Sequence, residues 1–398
     1  MVEALRVPAK ALKKILIVSP DYPSRDSFAY GFVHERAKLY KKYYNINVYA
    51  LVPLPEKYKN YFQSYMHEGI KVFKTSINYV NELVENIDPD IIAYHAPLPN
   101  VLHRLISLKR PLVLWFHGAD VLVTFFHNYY IPFFKNSLVK GLISIPLDIK
   151  RNIQLRELIL KEKNIQIVTI SNWMKRMVIK YLALPSSESS RIYVIPNPVN
   201  TEIFKSERSC YDRNREIGIV VRNLNYKYGV DILLKALIGL NYVKLIIVGR
   251  GPLRNYLENI IKKYKINAEI IEYIPHEELP RYYNDVGFFV APSRTEGQGV
   301  AMCEALTCGT PVVATNVGGI PEFVIHGYNG IVVNKLTPDA LRKSIIMMIK
   351  MPLKYYCAMS QNAVSLARKM YSDKIIIPKE LSVLIKAIEA YNYKYGYK

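Results

Sequence analysis

The chain has 398 residues, of which 50% are hydrophobic and 22% are charged. This composition excludes an intrinsically disordered protein, and the length exceeds what one ordinary hydrophobic core organises, so we expect two domains. Lys and Arg outnumber Asp and Glu by 54 to 33, and the net charge is +21. Such an excess favours an anionic partner, which could be a phosphorylated substrate, an acidic membrane surface or a nucleic acid.

The spacing of the cysteines and the lack of long apolar stretches indicate the cellular compartment of the protein. Cys210, Cys303, Cys308 and Cys357 form no C-x-x-C pair and have no pair of histidines nearby. We therefore expect neither a zinc site nor a disulfide, and a reducing environment. The N-terminal stretch lacks the apolar core of a signal peptide, and no run of about 18 apolar residues could span a bilayer. The sequence therefore predicts a cytoplasmic protein that is at most peripheral on the inner face of a membrane.

Buried parallel strands are predicted in two successive rounds by short, β-branched apolar runs. The first round has strands at 14–19, 46–52, 91–96, 112–118 and 165–171, with helices at 28–43 and 172–183 among the connections. After the stretch IPNPVN (195–200), the second round has strands at 216–222, 243–251, 268–274, 287–293 and 310–316, with helices at 229–240, 252–265 and 300–308.

Strands that alternate with helices are typical of doubly wound α/β domains. The sequence therefore predicts two facing Rossmann-like domains with a central cleft. Residues 1–200 would form the first domain and 201–379 the second, with a final helix at 380–398 that packs back on the first.

Several polar residues follow predicted strands, and in such sheets ligands bind beyond the carboxyl ends of the strands. His117 follows a strand of the first domain, whereas Arg222 and Glu296 follow strands of the second. Lys227 comes five residues after Arg222. A guanidinium fork grips two oxygens and an ammonium group supplies a compact charge, so this pair suits a diphosphate.

The stretch EGQGVAMCEAL (296–306) places two carboxylates around two glycines. A helix that begins near Val300 would direct backbone N–H groups at a phosphate, and Gly297 and Gly299 would let it approach closely. Glu296 and Glu304 suit pairs of hydroxyl groups on either side, which together outline a nucleotide sugar. Glutamates that cap the helix or face solvent remain the alternative. No D-x-D follows a strand, so no metal site is predicted.

Five motifs together resemble the retaining glycosyltransferases of family 4, which have the two-domain GT-B fold. They are IPNPVNTEIF (195–204), VVRNLNYKYGVDILLKAL (220–237), LIIVGRGPLRNYLENI (245–260), HGADV (117–121), and the E-x₇-E stretch that runs into GTPVVATNVGGIPE (309–322). The resemblance is densest over 195–335. Tyr228 is an insertion relative to the basic motif of the family.

The resemblance implies a donor site in the second domain. Arg222 and Lys227 would hold the donor diphosphate, with help from the backbone at Gly299 and Val300. Glu304 would accept hydrogen bonds from the ribose hydroxyls. No cofactor is implied beyond the nucleotide sugar itself, for which a UDP-sugar is favoured.

The resemblance also implies groups beside the nucleobase and the transferred sugar. Ile274, in the loop 273–275, would lie along the nucleobase. Glu296 would face the transferred sugar, and His117 on the first domain would meet it near the reacting carbon. The chain departs from the family in having a single glycine, Gly31, after its first strand, and in having Gln298 where an aromatic residue is common.

The predicted activity is therefore a metal-independent, retaining transfer of a hexosyl unit to a hydroxyl of a glycan or lipid-linked acceptor. The aromatic, lysine-flanked segment 121–143 either docks on an anionic membrane or forms a buried helix pair of the first domain.

A sugar phosphorylase or synthase of the same fold is the alternative enzyme. A nucleic-acid-binding protein would explain the charge, but the sequence carries no such motif. A nicotinamide-dependent enzyme would need the motif G-x-G-x-x-G after the first strand, and this sequence does not have it there.

Overall fold

Two β-sheets, each packed against helices, carry the described part of the chain, which is residues 12–25 and 29–396 of a computed structural model. The sheets belong to separate units. The first unit takes the described residues within 1–122, 146–198 and 373–398, and the second takes 123–145 and 199–372. The α/β class with two parallel sheets is thus confirmed.

The first sheet has eight strands in the order β3-β4-β2-β1-β5-β6-β7-β8. All neighbouring pairs are parallel except β3 and β4, which form an antiparallel hairpin. The strands are β1 (Lys14–Val18), β2 (Asn47–Leu54), β3 (Phe62–His67), β4 (Ile70–Ser76), β5 (Ile91–His95), β6 (Leu112–Phe116), β7 (Gln166–Thr169) and β8 (Ile192–Val194).

The second sheet has six parallel strands in the order β11-β10-β9-β12-β13-β14. This is the doubly wound order of dinucleotide-binding domains. The strands are β9 (Asn214–Val221), β10 (Lys244–Val248), β11 (Ala268–Ile271), β12 (Val286–Ala291), β13 (Val312–Thr315) and β14 (Gly330–Val333). Every residue of β12 and β13 is buried, as expected of near-continuous apolar runs in a sheet covered on both faces.

The helices of the described chain follow the strands in the alternation that the sequence predicts. They are α1 (Gly31–Tyr44), α2 (Val80–Ile87), α3 (Pro99–Ser107), α4 (Lys135–Lys161), α5 (Asn172–Tyr181), α6 (Val230–Ala236), α7 (Arg254–Tyr264), α8 (Leu279–Asp285), α9 (Val300–Thr307), α10 (Pro338–Lys350), α11 (Leu353–Met370) and α12 (Asp373–Tyr395). None of them is long and apolar enough to cross a membrane.

Helix α12 belongs to the first unit although it ends the chain. The guanidinium of Arg36 on α1 pairs with the carboxylate of Glu380 at 2.8 Å, and both side chains are buried. The hydroxyl of Tyr40 donates to the same carboxylate at 2.6 Å. Because a buried charge is tolerated only when it is paired and hydrogen-bonded, this cluster fixes α12 against α1. The helix begins at Asp373, earlier than the expected residue 380.

The structure differs from the sequence-based expectation in the segment 121–143. Residues 123–145 belong to the second unit rather than the first, and several of their large apolar side chains are exposed. Of the two interpretations of this segment, the buried helix pair of the first domain is therefore wrong. Residues 26–28 of the loop after β1, and residues 397–398 of the predicted final helix, lie outside the described residues.

The expectation that the cysteines form no disulfide is also wrong. Cys210 and Cys357 are joined, with their Cα atoms 5.3 Å apart. The bond ties a short turn before β9 to helix α11, across a sequence separation of 147 residues. Sequence spacing could not reveal this pair, because only the fold brings the two residues together. Cys303 and Cys308 are buried free thiols.

Candidate functional site

The strand order of the second unit reverses between β9 and β12, which lie side by side. In doubly wound sheets a ligand crevice opens outside the carboxyl ends of the strands at such a reversal. Arg222 directly follows β9, and Glu296 comes shortly after Ala291, the last residue of β12. The fold therefore brings together two side chains that are 74 positions apart in the sequence.

Arg222 and Glu296 form an incompletely satisfied ion pair. The Nη2 atom of Arg222 lies 3.3 Å from Oε2 of Glu296, and both side chains are largely buried. Neither of these two atoms makes a hydrogen bond within the described chain, and the same holds for Nε of Arg222. Buried polar groups are normally paired, so these donor atoms are ready for an anionic ligand.

Lys227 lies in the loop that follows β9 and Arg222, where its ammonium group is covered by two aromatic rings. Its ammonium group is 4.2 Å from the ring centroid of Tyr129 and 4.7 Å from that of Tyr228. Burial by itself lowers the pKa of this group, but Tyr228, Tyr129 and Glu296 raise it above its ordinary range. Lys227 therefore stays charged at neutral pH, where it could hold phosphate oxygens.

The backbone around Lys227 is fixed by a residue that the sequence reasoning missed. Arg294 donates its backbone N–H to the carbonyl oxygen of Lys227 at 2.7 Å. Its guanidinium makes two hydrogen bonds to the carboxylate of Asp231, at 2.8 and 2.7 Å, and lies over the ring of Tyr226 at 3.7 Å. Arg294 thus couples the loops after β9 and β12. Its position just after a buried strand is the sequence feature that could have identified it as a site residue.

Helix α9 begins at Val300, as the sequence predicts, and Gly299 precedes it with a φ of 84°. No side chain caps this helix end. The positive φ of Gly299 favours glycine, and a Cβ there would lie 2.8 Å from Nη2 of Arg222 and would displace this guanidinium. Gly297 is buried in the same turn. An uncapped helix start beside a guanidinium is a suitable binding place for a phosphate.

Glu304 is placed by α9 against two residues from the α8 region. Its Oε1 atom lies 2.8 Å from Nε2 of His276, and Oε2 accepts from the hydroxyl of Tyr283 at 3.4 Å. His276 was missed, although it directly follows the loop 273–275. In that loop Ile274 is buried, while Tyr273 is 52% exposed.

The first unit places His117 after β6 in a cluster of rings. Its Nε2 atom lies 3.0 Å from Nδ1 of His95, and its ring centroid is 4.8 Å from that of Phe32. Burial, and secondarily the charge of Arg36, lower the pKa of His117 to about 3, so its imidazole is neutral. The carboxylate of Asp120 accepts from the backbone N–H of His117 at 2.8 Å, which accounts for the spacing in HGADV. His95 was not predicted.

A groove of about 700 Å³ lies in the second unit next to Lys227. One wall is the aromatic stretch 129–134 with Lys135 and Lys140, and the other includes Asn225 and Pro252. Because Tyr129 also covers the Lys227 ammonium group, this groove adjoins the basic site. The aromatic stretch stands out in the sequence, but only the fold places it beside Lys227.

Two family models match the chain. The model described as Glycosyltransferase Family 4 matches residues 60–203, and the model described as Glycosyl transferases group 1 matches residues 202–365.

Curated proteins with similar sequences include an uncharacterised glycosyltransferase of Methanocaldococcus jannaschii, which is 28% identical over 287 residues, or 71% of each chain. Another is the GDP-mannose-dependent alpha-(1-6)-phosphatidylinositol monomannoside mannosyltransferase of Mycolicibacterium smegmatis. It is 30% identical over 178 residues, which are 39% of this chain and 47% of that one.

Solved structures of similar fold include sucrose-phosphate synthase from Thermosynechococcus elongatus, with a TM-score of 0.71 at 14% identity over 97% of this chain and 100% of that one. HepE from Anabaena, in complex with UDP and glucose, has a TM-score of 0.68 at 18% identity over 93% of this chain and 98% of that one. At these identities the likeness establishes the fold.

Proposed function

The chain carries both domains of a family 4 glycosyltransferase of the GT-B fold and is a member of that family, which uses nucleotide sugars; from this premise we propose that it transfers a hexosyl unit, with retention, from a UDP-sugar to a hydroxyl of a glycan or lipid-linked acceptor. The observation that carries the donor site is the buried Arg222–Glu296 pair, with donor atoms that lack hydrogen bonds, at the strand-order reversal.

In this proposal the donor diphosphate lies between Arg222, Lys227 and the start of α9. The guanidinium supplies directed N–H groups, Lys227 a point charge, and the helix start a dipole worth roughly 0.3–1 kcal/mol. Together they stabilise the charge that develops on the leaving diphosphate, as preorganised donors do in other enzymes. Glu304 would accept from the ribose hydroxyls in place of its present contact with His276.

The reaction exchanges one bond at the anomeric carbon for another. The bond to the diphosphate oxygen breaks, the acceptor oxygen bonds to the anomeric carbon on the same face, and the acceptor proton goes to the departing phosphate. Glu296 lies beside Arg222 and would stabilise the positive charge that develops on the sugar ring. On the first unit, Nδ1 of His117 has no hydrogen bond within the described chain, so it is the polar atom of that ring available to a sugar hydroxyl.

A membrane-borne acceptor is supported by the surface of the segment 123–145. Its exposed large apolar side chains are Phe126, Phe133, Phe134, Val139, Leu142 and Ile143. Lys135 and Lys140 are exposed among them. Apolar side chains flanked by lysines are typical of surfaces that rest on anionic lipid, and the adjoining aromatic groove would receive the acceptor head. The Mycolicibacterium relative is likewise named for a phosphatidylinositol-linked acceptor.

Nucleotide release from a panel of UDP-, GDP- and ADP-sugars tests the donor site. The panel includes GDP-mannose because one relative is named for it. We expect one UDP-sugar to be turned over, and Lys227→Ala to lower the rate about 100-fold or more, since it removes a charge that stabilises the leaving group. Lys235→Ala, an exposed lysine on α6, is the matched control and should retain the rate.

The same panel separates the transferase from a phosphorylase or synthase of this fold. A sugar 1-phosphate that is consumed with release of inorganic phosphate, while no nucleotide is released, would favour the phosphorylase. Inert donors, together with unchanged nucleotide affinity in Lys227→Ala and Glu296→Ala, would contradict the proposal.

A further inference from the structure

Two His-Glu dipeptides that are far apart in the sequence meet in the first unit. His34-Glu35 lies on α1, and His67-Glu68 lies at the tip of the β3–β4 hairpin. One ligand atom from each of His34, His67 and Glu68 can be chosen so that all three lie within 4.8 Å of one another. Two imidazoles and a carboxylate form a common ligand set for divalent transition metals.

One imidazole nitrogen of each histidine in this cluster has no hydrogen-bond partner in the described chain. The Nε2 atoms of both histidines are buried and make no hydrogen bond within residues 12–25 and 29–396. His34 is completely buried, and its Nε2 lies 3.4 Å from Oε2 of Glu68. Nε2 of His67 lies 3.8 Å from Oε1 of the same carboxylate. Buried polar atoms in a native fold normally have a partner, so the convergence of these two nitrogens on one carboxylate favours a ligand site.

The other ring nitrogen of His34 is already held in the manner typical of metal ligands. Its Nδ1 atom lies 3.0 Å from the hydroxyl oxygen of Tyr22. If the Nδ1–H donates to Tyr22, the lone pair of Nε2 is directed into the cluster. Such a hydrogen bond on the far nitrogen fixes the tautomer and the ring orientation of histidines that bind metals.

A lysine now occupies the place of a cation between the two carboxylates. Nζ of Lys38 lies 2.7 Å from Oε1 of Glu35 and 2.7 Å from Oε2 of Glu68. This ion pairing explains the carboxylates without a metal, but it leaves both Nε2 atoms without hydrogen bonds. Lys38 is partly exposed, so its ammonium group can turn to solvent when Glu68 takes another partner.

We propose that His34, His67 and Glu68 bind a first-row divalent transition metal, with zinc as the best match to two imidazoles and one carboxylate. The metal would clamp the tip of the β3–β4 hairpin to α1, next to the loop after β1. Three protein ligands leave one position of a tetrahedral site open, and it would face solvent on the side where Glu68 is 51% exposed. The proposal assumes nothing about the sugar donor or the acceptor.

Titration of tag-free, EDTA-treated protein with CoCl₂ tests the site, because tetrahedral Co²⁺ has an intense visible absorption that Zn²⁺ abolishes by displacement. We expect one Co²⁺ per chain in the wild type. His67→Ala and Glu68→Gln should lose the absorption, and both residues lie at a hairpin tip outside the buried core. His103→Ala, an exposed histidine of the same unit, is the matched control and should keep it.

Two further variants separate metal binding from general effects on the fold. Tyr22→Phe removes the hydroxyl that orients His34 and should weaken Co²⁺ binding about tenfold. Lys38→Met removes the competing ammonium group and should tighten it. ZnCl₂ should raise the unfolding temperature of the wild type but not of His67→Ala. An absence of visible absorption, or the same absorption in His67→Ala as in His103→Ala, would overturn the proposal.

Discussion

Arg222 and Glu296 carry buried polar atoms that lower the stability of the fold and that the proposed donor would pair. Each buried polar group without a hydrogen bond costs about 1–3 kcal/mol, and both residues carry such atoms. A ligand with phosphate oxygens would satisfy the guanidinium and release this cost on binding. The same reasoning applies to Nδ1 of His117 in the first unit, which is also buried and not hydrogen-bonded within the described chain.

The buried neutral state of His117 predicts a pH dependence of stability. The folded chain resists protonation of this ring until pH about 3, whereas an unfolded chain takes up the proton near its ordinary value of 6.5. Below pH 6.5 the unfolded state therefore binds more protons, and the free energy of unfolding falls by up to about 1.4 kcal/mol per pH unit for this one group. We expect the denaturant midpoint to fall steadily between pH 6.5 and 4.

The substitution His117→Asn removes this titrating group and should flatten the fall in stability over that pH range. His95 titrates in the same direction because burial lowers its pKa too, so part of the slope should remain. His103→Asn changes an exposed histidine and should leave the slope as it is. Equal slopes for His117→Asn and the wild type would show that the ring is not held neutral in the fold.

At the scale of elements, the start of α9 shows how neighbouring segments shape the site. Gly318 has a φ of 58°, and a Cβ there would lie 2.0 Å from the carbonyl oxygen of Glu296. Gly319 donates its N–H to that oxygen at 2.9 Å. The glycine pair after β13 thus holds the backbone of Glu296 at the start of the loop that leads into α9.

The disulfide predicts a stability difference in the second unit. The Cys210–Cys357 bond closes 147 residues of chain, and so long a closed loop stabilises the folded state by about 2–5 kcal/mol, mainly by restricting the unfolded chain. Under oxidising conditions Cys210→Ser should unfold at a lower guanidinium concentration than the wild type. A reductant should lower the midpoint of the wild type to that of the variant.

The control for the disulfide is Cys308→Ala, which removes a free thiol and should keep the response to reductant. If the wild type and Cys210→Ser unfold at the same denaturant concentration without reductant, the bond contributes nothing to stability and this prediction fails.

At the scale of the whole molecule, the net charge of +21 favours an anionic surface, and the segment 123–145 offers the apolar contact. We expect the protein to pellet with phosphatidylglycerol vesicles at low salt and to be released as salt rises, since screening shortens the reach of each lysine to about 10 Å at 0.1 M. The double variant Leu142→Glu/Ile143→Glu should stay in the supernatant.

The double variant Met347→Glu/Leu353→Glu adds the same two charges at other exposed apolar positions of the second unit and should pellet like the wild type. Equal recovery of the wild type in the supernatant with and without vesicles would remove the membrane proposal. It would leave the donor site untouched, because the donor panel uses no lipid.

The fold was predictable, and the candidate donor residues could be named, because the signals for both are local. Buried parallel strands need continuous apolar runs, and each of the ten predicted runs overlaps a strand of the structure. The hairpin of β3 and β4 was missed because exposed polar residues of β3 interrupt the apolar pattern, and β8 because it has only three residues. Arg222 and Glu296 follow strands, Lys227 lies in the loop after one of these strands, and Glu304 lies about one turn into α9. Such positions suggest binding before the structure is known.

The sequence by itself determined the α/β class, the alternation of strands and helices, and the basic and glycine-rich loops, since these depend on periodicity and on residues close together in the chain. Only the tertiary structure decided which distant residues meet: the disulfide, His276 beside Glu304, Tyr129 over Lys227, and the two His-Glu dipeptides. These contacts depend on strand order and on which unit a segment joins. Both are set by packing over the whole chain, which no local pattern records.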